Sequence, residues 1–499
     1  MQELLVNPST STVRNTKPEE RAPIYEALLA YQQRKVAPLH TPGHKGTFAA
    51  DGILDFMTPL GLACDLPSMD ATDFLFHPSG CIAEAQRLAA ELWGAADTFF
   101  LVHGSTIGVQ AMVLAAVRPG EKIILSRHVH LSVFSALVLS GATPVFLPSM
   151  WFEFGGPVPV LASDLENALA LHNDARAVLL THPSYYGLGG DLRPISSICA
   201  QRKIPLLVDE AHGAHLRFVP QQYLRSALEQ GADLVVQSVH KTVGSLIGTA
   251  QLHRGHQSLI SHEQVQRALN LLESTSSSYL LLASLDLTRR YMSQNGSALF
   301  REACARFDLL RRNLASIPGI ATLLPGSNPT LKDCAIDPLR LVIDVSGLGL
   351  TGYEMERRLQ QDFGILDEFC DSCNVVFVLG PADPPEVYVR LEDAFREIAC
   401  TSVRRAPPPS AQPRTTPAPH MALTPREAAF QKSRRISLRE AAGSICAEVI
   451  SVYPPGIPLL FPGEVFTRQV LTYLEYLSQR NICIYARDPS LSTVSIIDL

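Results

Sequence analysis

The feature that most constrains the fold is a regular alternation of helical segments and short apolar runs between about residues 80 and 250. The helical segments include IAEAQRLAAELW and IGVQAMVLAAV, and the apolar runs are TFFLV, IILS, PVFL, AVLLT, PLLVD and DLVVQS. Short apolar runs separated by helices indicate βαβ units, whose parallel strands are buried on both faces. The sequence therefore predicts an α/β large domain built on a mostly parallel sheet.

The remaining chain divides into regions of different composition. Residues 1–75 form an N-terminal segment, and residues 76–290 contain the alternating region and form the large domain. Residues 291–401 mix helical segments with the strand candidates RLVIDV and VVFVLG, which predicts a smaller α+β domain. Residues 402–424 are dense in Pro, Ser and Thr and are predicted to be an extended linker. Residues 425–499 regain apolar and helical content and are predicted to form a C-terminal module.

Composition disfavours several classes of protein. Hydrophobic residues make up 46% and charged residues 18%, which is typical of a folded globular chain. The net charge of -6 disfavours nucleic-acid binding. Because we find neither a secretory signal nor a run of about 18 apolar residues, we expect a cytoplasmic protein without a membrane partner. The one close cysteine pair, Cys370 and Cys373, is interpreted as reduced structural thiols, and no metal site is predicted.

Lys241 is a candidate catalytic residue because it directly follows the apolar run DLVVQSVH. A lysine at the carboxyl end of a buried strand lies where open α/β sheets form their ligand crevice. Burial there lowers the pKa of the amine and makes it nucleophilic enough to form a Schiff base. The alternative is a strand-end lysine whose amine simply reaches solvent.

Asp209, in PLLVDEAHGAH, also ends an apolar strand. A carboxylate beside the pyridine nitrogen of pyridoxal phosphate would keep that nitrogen protonated, which makes the ring an electron sink. Taken alone, Asp209 has the alternative interpretation of an N-cap of the next helix. The presence of Asp209 and Lys241 at two strand ends favours a site for this cofactor.

The segment LVHGSTIGVQAM is a candidate phosphate-binding turn. Gly104, Ser105 and Thr106 stand between a predicted strand and a predicted helix. Free backbone N–H groups at a helix start, with hydroxyls beside them, can bind a phosphate. An ordinary capped helix would show the same residues. The turn therefore favours cofactor binding only together with Asp209 and Lys241.

At these motifs the sequence resembles the Orn/Lys/Arg decarboxylase family of fold-type-I pyridoxal-phosphate enzymes. The matching strings run from about residue 38 to 465 and are LHTPGHKGT, FHPSGCIAEAQRLAAELWGA, FFLVHGSTIG, THPSYYGLGGDL, VDEAHGAH, VVQSVHKT, STSSSYLLLASLD and YPPGIPLLFPGE. The resemblance implies an aspartate-aminotransferase-like large domain, a smaller α+β domain and a C-terminal module. It also implies decarboxylation of arginine, lysine or ornithine to carbon dioxide and an amine of the polyamine type.

Carried over by position, the resemblance implies a role for each site residue. Lys241 would hold pyridoxal phosphate covalently, Asp209 would pair with the pyridine nitrogen, and His130 would stack on the ring. The phosphate would be bound by hydroxyls, and small or flat side chains would line the rest of the site. These further contacts would come from Ser105, Thr106, Ala211, His212, Ser238 and His240.

Two further groups of residues extend the implied site. Thr275 and Ser276, in STSSSY, resemble an element that reaches the phosphate of the neighbouring subunit, which implies a homodimer or higher homo-oligomer with shared active sites. A basic substrate needs a carboxylate for its distal cation, and Glu448 and Glu464 are candidates in the C-terminal module. A surface ion pair or a helix cap is the alternative role for either glutamate.

Alternatives to decarboxylation remain open on the sequence alone. Another pyridoxal-phosphate reaction, such as amino transfer or aldolase-type cleavage, would use the same cofactor site. An aminotransferase would hold the substrate α-carboxylate on an arginine, for which Arg390 is one candidate. A non-catalytic scaffold of the same fold would be expected to lose Lys241, Asp209 or the phosphate turn, and all three are present. Either Lys241 or a nearby histidine is expected to protonate the α-carbon.

Overall fold

The computed structural model describes residues 17–33, 61, 64–148, 156–323, 334–402, 419–452, 457–478 and 484–498. Most of the predicted Pro-rich linker and the string LHTPGHKGT lie outside the described residues. No helix in the described ranges is long and apolar enough to cross a membrane.

The strands of the described residues, in chain order, are β1 (Asp97–Leu101), β2 (Lys122–Leu125), β3 (Thr143–Phe146), β4 (Ala177–Thr181), β5 (Leu188–Gly190), β6 (Leu206–Asp209), β7 (Leu234–Gln237), β8 (Ala250–Arg254), β9 (Ala321–Thr322), β10 (Cys334–Ile336), β11 (Arg340–Asp344), β12 (Phe369–Cys370), β13 (Asn374–Val378), β14 (Ser433–Ser437), β15 (Ile450–Val452), β16 (Ile457–Leu460), β17 (Ile484–Tyr485) and β18 (Thr493–Ile497).

The α-helices of the same ranges are α1 (Pro23–Gln33), α2 (Cys81–Trp93), α3 (Gly104–Ala116), α4 (Leu131–Ser140), α5 (Ala162–Leu171), α6 (Arg193–Arg202), α7 (Val239–Thr242), α8 (His262–Leu272), α9 (Tyr279–Ala315), α10 (Gly352–Phe363), α11 (Pro385–Thr401), α12 (Pro425–Ala429) and α13 (Arg468–Ser478).

The large domain is organised around a seven-stranded sheet with the order β1-β8-β7-β6-β4-β2-β3. The strands from β7 to β3 run parallel to their neighbours, and β8 is antiparallel to both β7 and β1. One apolar core on the sheet includes side chains of α3, α4 and α8, and a second includes those of α5 and α6. The predicted α/β fold with a mostly parallel sheet is confirmed.

Strand β8 is the one member of this sheet that the apolar runs did not predict. It carries Gln251 and His253, which are fully buried and polar. His253 is hydrogen-bonded to Thr98 Oγ1 at 2.8 Å and to Gln237 Oε1 at 3.2 Å. Because partners on both neighbouring strands satisfy the histidine, this polar side chain can be buried within the sheet.

Helix α3, which opens at the predicted phosphate turn, lies unusually close to the sheet. A Cβ atom at Gly108 would stand 2.4 Å from Cγ2 of Val236 and 2.9 Å from Cδ1 of Leu101. No larger side chain fits at that distance. The glycine therefore allows the start of α3 to approach the carboxyl end of β7, where Lys241 follows.

The small domain is joined to the large domain by the long helix α9, so the predicted boundary between residues 290 and 291 falls inside a continuous helix. Its antiparallel sheet has the order β12-β13-β11-β9. Helix α10 packs on β13, and α11 contacts both α9 and α10. The N-terminal segment is attached to α9 through Asp286, which accepts a hydrogen bond from the Ile24 N–H at 3.0 Å.

The C-terminal module consists of two small sheets, β14-β18 and β16-β15-β17, together with α13. Its core contains Ile450, Leu460, Phe466 and Leu474, all fully buried. Apolar side chains from both sheets and from α13 thus share one core, which gives this module a folded interior of its own.

Candidate active site

The sheet forms a cavity of about 360 Å³ at the carboxyl ends of its central parallel strands. Thr181 ends β4 and is paired in register with Asp209, which ends β6. Lys241 lies in α7, the single helical turn that follows β7. All three line the cavity. Parallel strands present their carboxyl ends at one edge of a sheet, which explains why residues distant in sequence meet here.

Lys241 lines this cavity, and its amine lies 2.9 Å from Nε2 of His212. Burial among protein atoms lowers its pKa, and the cation of Arg340 lowers it further, whereas Asp209 and Glu368 act in the opposite direction. The net direction is downward. A lysine with a lowered pKa has a larger share of neutral, nucleophilic amine near neutral pH.

The Asp209 carboxylate faces the same cavity and is only 4% exposed. Its Oδ1 atom accepts a hydrogen bond from the Ala211 N–H at 3.1 Å. Ala211 also lines the cavity, where its small side chain leaves room for a flat ring. A buried carboxylate in this position can stabilise a cationic ring nitrogen.

His130 forms another wall of the cavity and is the N-cap of α4. Its Nδ1 atom accepts a hydrogen bond from the Ser132 N–H at 3.1 Å, so the hydrogen of the neutral ring lies on Nε2. Burial lowers the pKa of His130, an effect that Asp209 opposes and Lys241 reinforces. The neutral, flat imidazole suits stacking on an aromatic ring.

Unpaired polar groups around the cavity fit a phosphate. Ser105, the second residue of α3, lines the cavity, and the N-cap residue His103 makes no side-chain hydrogen bond to the start of this helix. The hydroxyls of Ser238 and Thr181 are buried without a hydrogen-bond partner among the described residues. Buried hydroxyls without partners are costly, and a bound phosphate oxygen would satisfy them. The residues present therefore fit pyridoxal phosphate.

The structure brings six of the predicted site residues to the cavity wall and leaves others away from it. The six are Ser105, His130, Asp209, Ala211, His212 and Lys241. Outside the wall, Thr106 follows in the first turn of α3, Ser238 lies directly before α7, and the His240 Nδ1 is hydrogen-bonded to the Thr249 carbonyl at 2.7 Å.

Thr275 and Ser276 are exposed on the segment between α8 and α9 and do not line the cavity of their own chain. Their position at the surface is compatible with contact to a second chain. Their predicted role in a shared active site stays a prediction.

Glu448 and Glu464, the predicted partners of a substrate cation, do not line the cavity and are both buried by internal contacts. Glu448 accepts hydrogen bonds from the Arg487 N–H at 2.6 Å and the Ser495 N–H at 2.5 Å. Glu464 forms an ion pair with Arg127 at 2.6 Å. In this structure both carboxylates hold the C-terminal module together or attach it to the large domain.

Glu368, Arg340 and Tyr185 are among the cavity or near-cavity residues that the sequence did not single out. Glu368 lines the cavity and accepts a hydrogen bond from the Tyr185 hydroxyl at 2.7 Å. The guanidinium carbon of Arg340 lies 5.1 Å from the centre of the Tyr185 ring. Tyr185 stands in one of the resembling strings, but Glu368 and Arg340 come from the small domain, where no local pattern marks them.

Two other sequence candidates lie away from the cavity. Arg390 is exposed and donates hydrogen bonds to the carbonyls of Phe363 and Gly364 at the end of α10. Cys370 and Cys373 are not joined by a disulfide, and burial raises the pKa of each. Both sulfurs are therefore held as neutral thiols at neutral pH.

The sheet order, with the acid and the lysine at adjoining strand ends, defines the fold of the fold-type-I pyridoxal-phosphate enzymes. The major domain of the Orn/Lys/Arg decarboxylases matches residues 22–386, and their C-terminal domain matches residues 410–482. The chain belongs to the Orn/Lys/Arg decarboxylase family and is a decarboxylase of a basic amino acid.

Individual relatives agree with this assignment. The chain is 37% identical over 459 residues to the arginine decarboxylase of Bacillus subtilis, covering 91% of this chain and 93% of the relative. It is 35% identical to the arginine decarboxylase of Halalkalibacterium halodurans, with 96% and 98% covered. The solved structure of the Escherichia coli constitutive lysine decarboxylase superposes with a TM-score of 0.82 at 18% identity, covering 96% of this chain and 82% of that chain.

Proposed function

We propose that this protein decarboxylates arginine with pyridoxal phosphate as its cofactor and releases an amine of the polyamine type. The observation that carries the proposal is a cavity lined by Lys241, Asp209 and Glu368. The names of the two relatives above support arginine over the other basic amino acids.

Different residues around the cavity would bind different parts of the cofactor. Lys241 would bind it covalently, and Asp209 would keep its ring nitrogen protonated. Ser105 and Ser238 would donate hydrogen bonds to the phosphate, and His130 would stack on the ring. When bound, pyridoxal phosphate supplies the electron sink that accepts the electron pair left by departing carbon dioxide.

Glu368 is the proposed partner of the substrate guanidinium. Its Oε1 atom already accepts the Tyr185 hydroxyl hydrogen, which orients the carboxylate in the cavity. A planar guanidinium can donate two parallel hydrogen bonds to a carboxylate, whereas the ammonium of lysine or ornithine is a point charge. This difference favours arginine as the substrate that Glu368 binds best.

The direct test is to incubate purified protein and pyridoxal phosphate with arginine, lysine or ornithine and to quantify carbon dioxide, amine and keto acid. Arginine should give equal amounts of amine and carbon dioxide with the highest kcat/KM. A higher kcat/KM for lysine or ornithine would refute the substrate, and keto acid as the main product would indicate amino transfer. Replacing Lys241 by Ala should abolish turnover.

A variant of the cavity carboxylate tests the proposed contact. Glu368→Gln should lower kcat/KM for arginine by about 10- to 100-fold, the loss expected when one partner of a charged hydrogen-bonded pair is neutralised. Glu386→Gln, on the exposed first turn of α11, is the matched control and should have no effect. Equal kinetics of the two variants would rule out Glu368 as the substrate's partner.

The same proposal includes a homodimer in which Thr275 and Ser276 of one subunit reach the phosphate bound by the other. A Lys241→Ala variant and a Thr275→Ala/Ser276→Ala variant should each be impaired. After unfolding and refolding as a mixture, hybrid dimers would contain one complete site, so about a quarter of the wild-type activity should return. Failure of the mixture to recover activity would show that the sites are not shared.

A further inference from the structure

Arg340 occupies a buried position between two residues that line the cavity. It is 2% exposed, and its Nη2 donates a hydrogen bond to Nδ1 of His212. The guanidinium also lies over the Tyr185 ring, and that ring meets the His212 imidazole edge-on at 4.9 Å between centres. Arg340 thus contacts the histidine that in turn contacts Lys241.

The backbone around Arg340 is shaped to hold this side chain in place. Gly187 has a φ of +81°, and a Cβ atom there would stand 2.4 Å from Cβ of Arg340. The Arg340 N–H donates to the Asp337 carbonyl at 3.1 Å, and the Asp337 N–H donates to the Gly187 carbonyl at 2.7 Å. The close approach of the two segments therefore depends on a glycine at position 187.

The hydrogen bonds determine where the imidazole hydrogen must lie. A guanidinium has only donors, so Nδ1 of His212 must be the acceptor and carries no hydrogen. The ring hydrogen is then on Nε2, which lies 2.9 Å from Nζ of Lys241. Lys241 can accept a hydrogen bond from this N–H only through the lone pair of its neutral amine. The arrangement therefore disfavours a charged Lys241 in the cofactor-free protein.

Burial and the surrounding charges lower the pKa of His212 and so also favour its neutral form. Burial holds the pKa of His212 well below its usual range, and Arg340, Lys241, His130 and His215 each lower it further. A protonated imidazole would also point a second N–H at the guanidinium. Burial and these neighbouring charges therefore favour the neutral form of His212.

We propose that Arg340 is a positioning residue: it fixes His212 as the Nε2–H tautomer, and His212 in turn holds the Lys241 amine neutral and oriented. This inference rests on the proposed role of Lys241. It also decides between the two candidate proton donors at the substrate carbon. A neutral imidazole held in this way is a hydrogen-bond donor rather than an acid, which leaves Lys241 to carry the proton.

The tautomer can be measured without substrate or cofactor. In protein labelled with ¹⁵N-histidine, the signals of His212, assigned by their loss in His212→Gln, should show an unprotonated Nδ1 and a protonated Nε2 from pH 5 to 9. A hydrogen on Nδ1, or a positively charged ring in this range, would overturn the proposal. This result does not depend on the folding of any Arg340 variant.

The effect on the lysine is measured in the same cofactor-free protein. Acetylation of Lys241 by acetic anhydride, followed by mass spectrometry across pH, reports the pKa of the amine. Arg340→Met should raise that pKa by about one unit, because it removes both a nearby cation and the donor that fixes the tautomer. Arg340→Lys, which keeps the cation, should restore much of the shift. An unchanged pKa in a folded Arg340→Met protein would refute the proposal.

Two variants of the histidine separate hydrogen bonding from proton transfer. The Gln of His212→Gln can accept from Arg340 through its oxygen and donate to Lys241 through its nitrogen, but it cannot act as an acid. We expect His212→Gln to keep turnover within about tenfold of wild type and His212→Leu to lose about 100-fold or more. Equal losses would show that the imidazole itself transfers a proton. If arginine is not a substrate, the labelling and NMR results still decide the role of Arg340.

Discussion

The ion pair between Arg127 and Glu464 is expected to be the main electrostatic attachment of the C-terminal module to the large domain. The two side chains are 4% and 1% exposed, and the pair is bidentate, with N–O distances of 2.6 and 3.0 Å. Arg127 also donates to the Leu459 carbonyl at 2.8 Å, and its guanidinium lies over the rings of Phe146 and Phe461. Glu464→Gln would leave this buried cation without a counter-charge.

The expected loss follows from that burial. Removing one partner of a buried ion pair typically costs about 3–5 kcal/mol, because the remaining charge stays desolvated. Since about 1.4 kcal/mol corresponds to a factor of ten, amides of the module should exchange about 100- to 4000-fold faster. Suitable reporters are the N–H groups of Cys446 and Gly463, which are hydrogen-bonded at 2.7 and 2.8 Å within the module. Hydrogen exchange followed by mass spectrometry measures this change.

Two controls test whether the loss of protection is caused by a buried charge without a partner, rather than by any change at position 464. Asp498→Asn removes a comparable pair with Arg434, but those side chains are 59% and 55% exposed, so exchange should change by less than about fivefold. Combining Arg127→Met with Glu464→Leu should recover much of the lost protection, because neither charge is then stranded. If Glu464→Gln changes exchange no more than Asp498→Asn does, the buried pair is not what attaches the module.

Three further predictions concern the site and its support. Burial raises the pKa of Glu210 to about 8 from its ordinary value of 4.5, so between these values the folded chain holds a proton that the unfolded chain has released. Its contribution to stability falls as pH rises through that window, and the melting temperature of Glu210→Gln, measured from pH 5 to 8, should lack this decline. Ser238→Ala should weaken pyridoxal phosphate binding by about tenfold in a fluorescence titration, and an unchanged Kd would argue against a phosphate contact. Gly187→Ala should lower the melting temperature and raise the pKa of Lys241 in the acetylation assay, as Arg340→Met does; a normal Lys241 pKa would show that Arg340 tolerates the added methyl group.

The sequence by itself determined the sheet and the central pair of the site. Apolar runs at regular spacing are a local signal, because a strand buried on both faces needs apolar side chains wherever it lies in the fold. Residues that end such runs must meet at one edge if the strands are parallel, and this rule predicts that Asp209 and Lys241 lie close together. Strand β8 was not predicted by this rule because it carries the buried polar residue His253, which is hydrogen-bonded to partners on both neighbouring strands.

Only the tertiary structure decided which side chains complete the cavity and which are used elsewhere. Glu368 and Arg340 come from the small domain, and their approach to Lys241 depends on how that domain packs against the large one. Glu464 had the right charge for a substrate contact. Its carboxylate instead accepts a hydrogen bond from Arg127, which lies 337 positions away in the chain. Local periodicity in the sequence predicts helices and strands. The pairing of charges between domains depends on distances that exist only after the chain has folded.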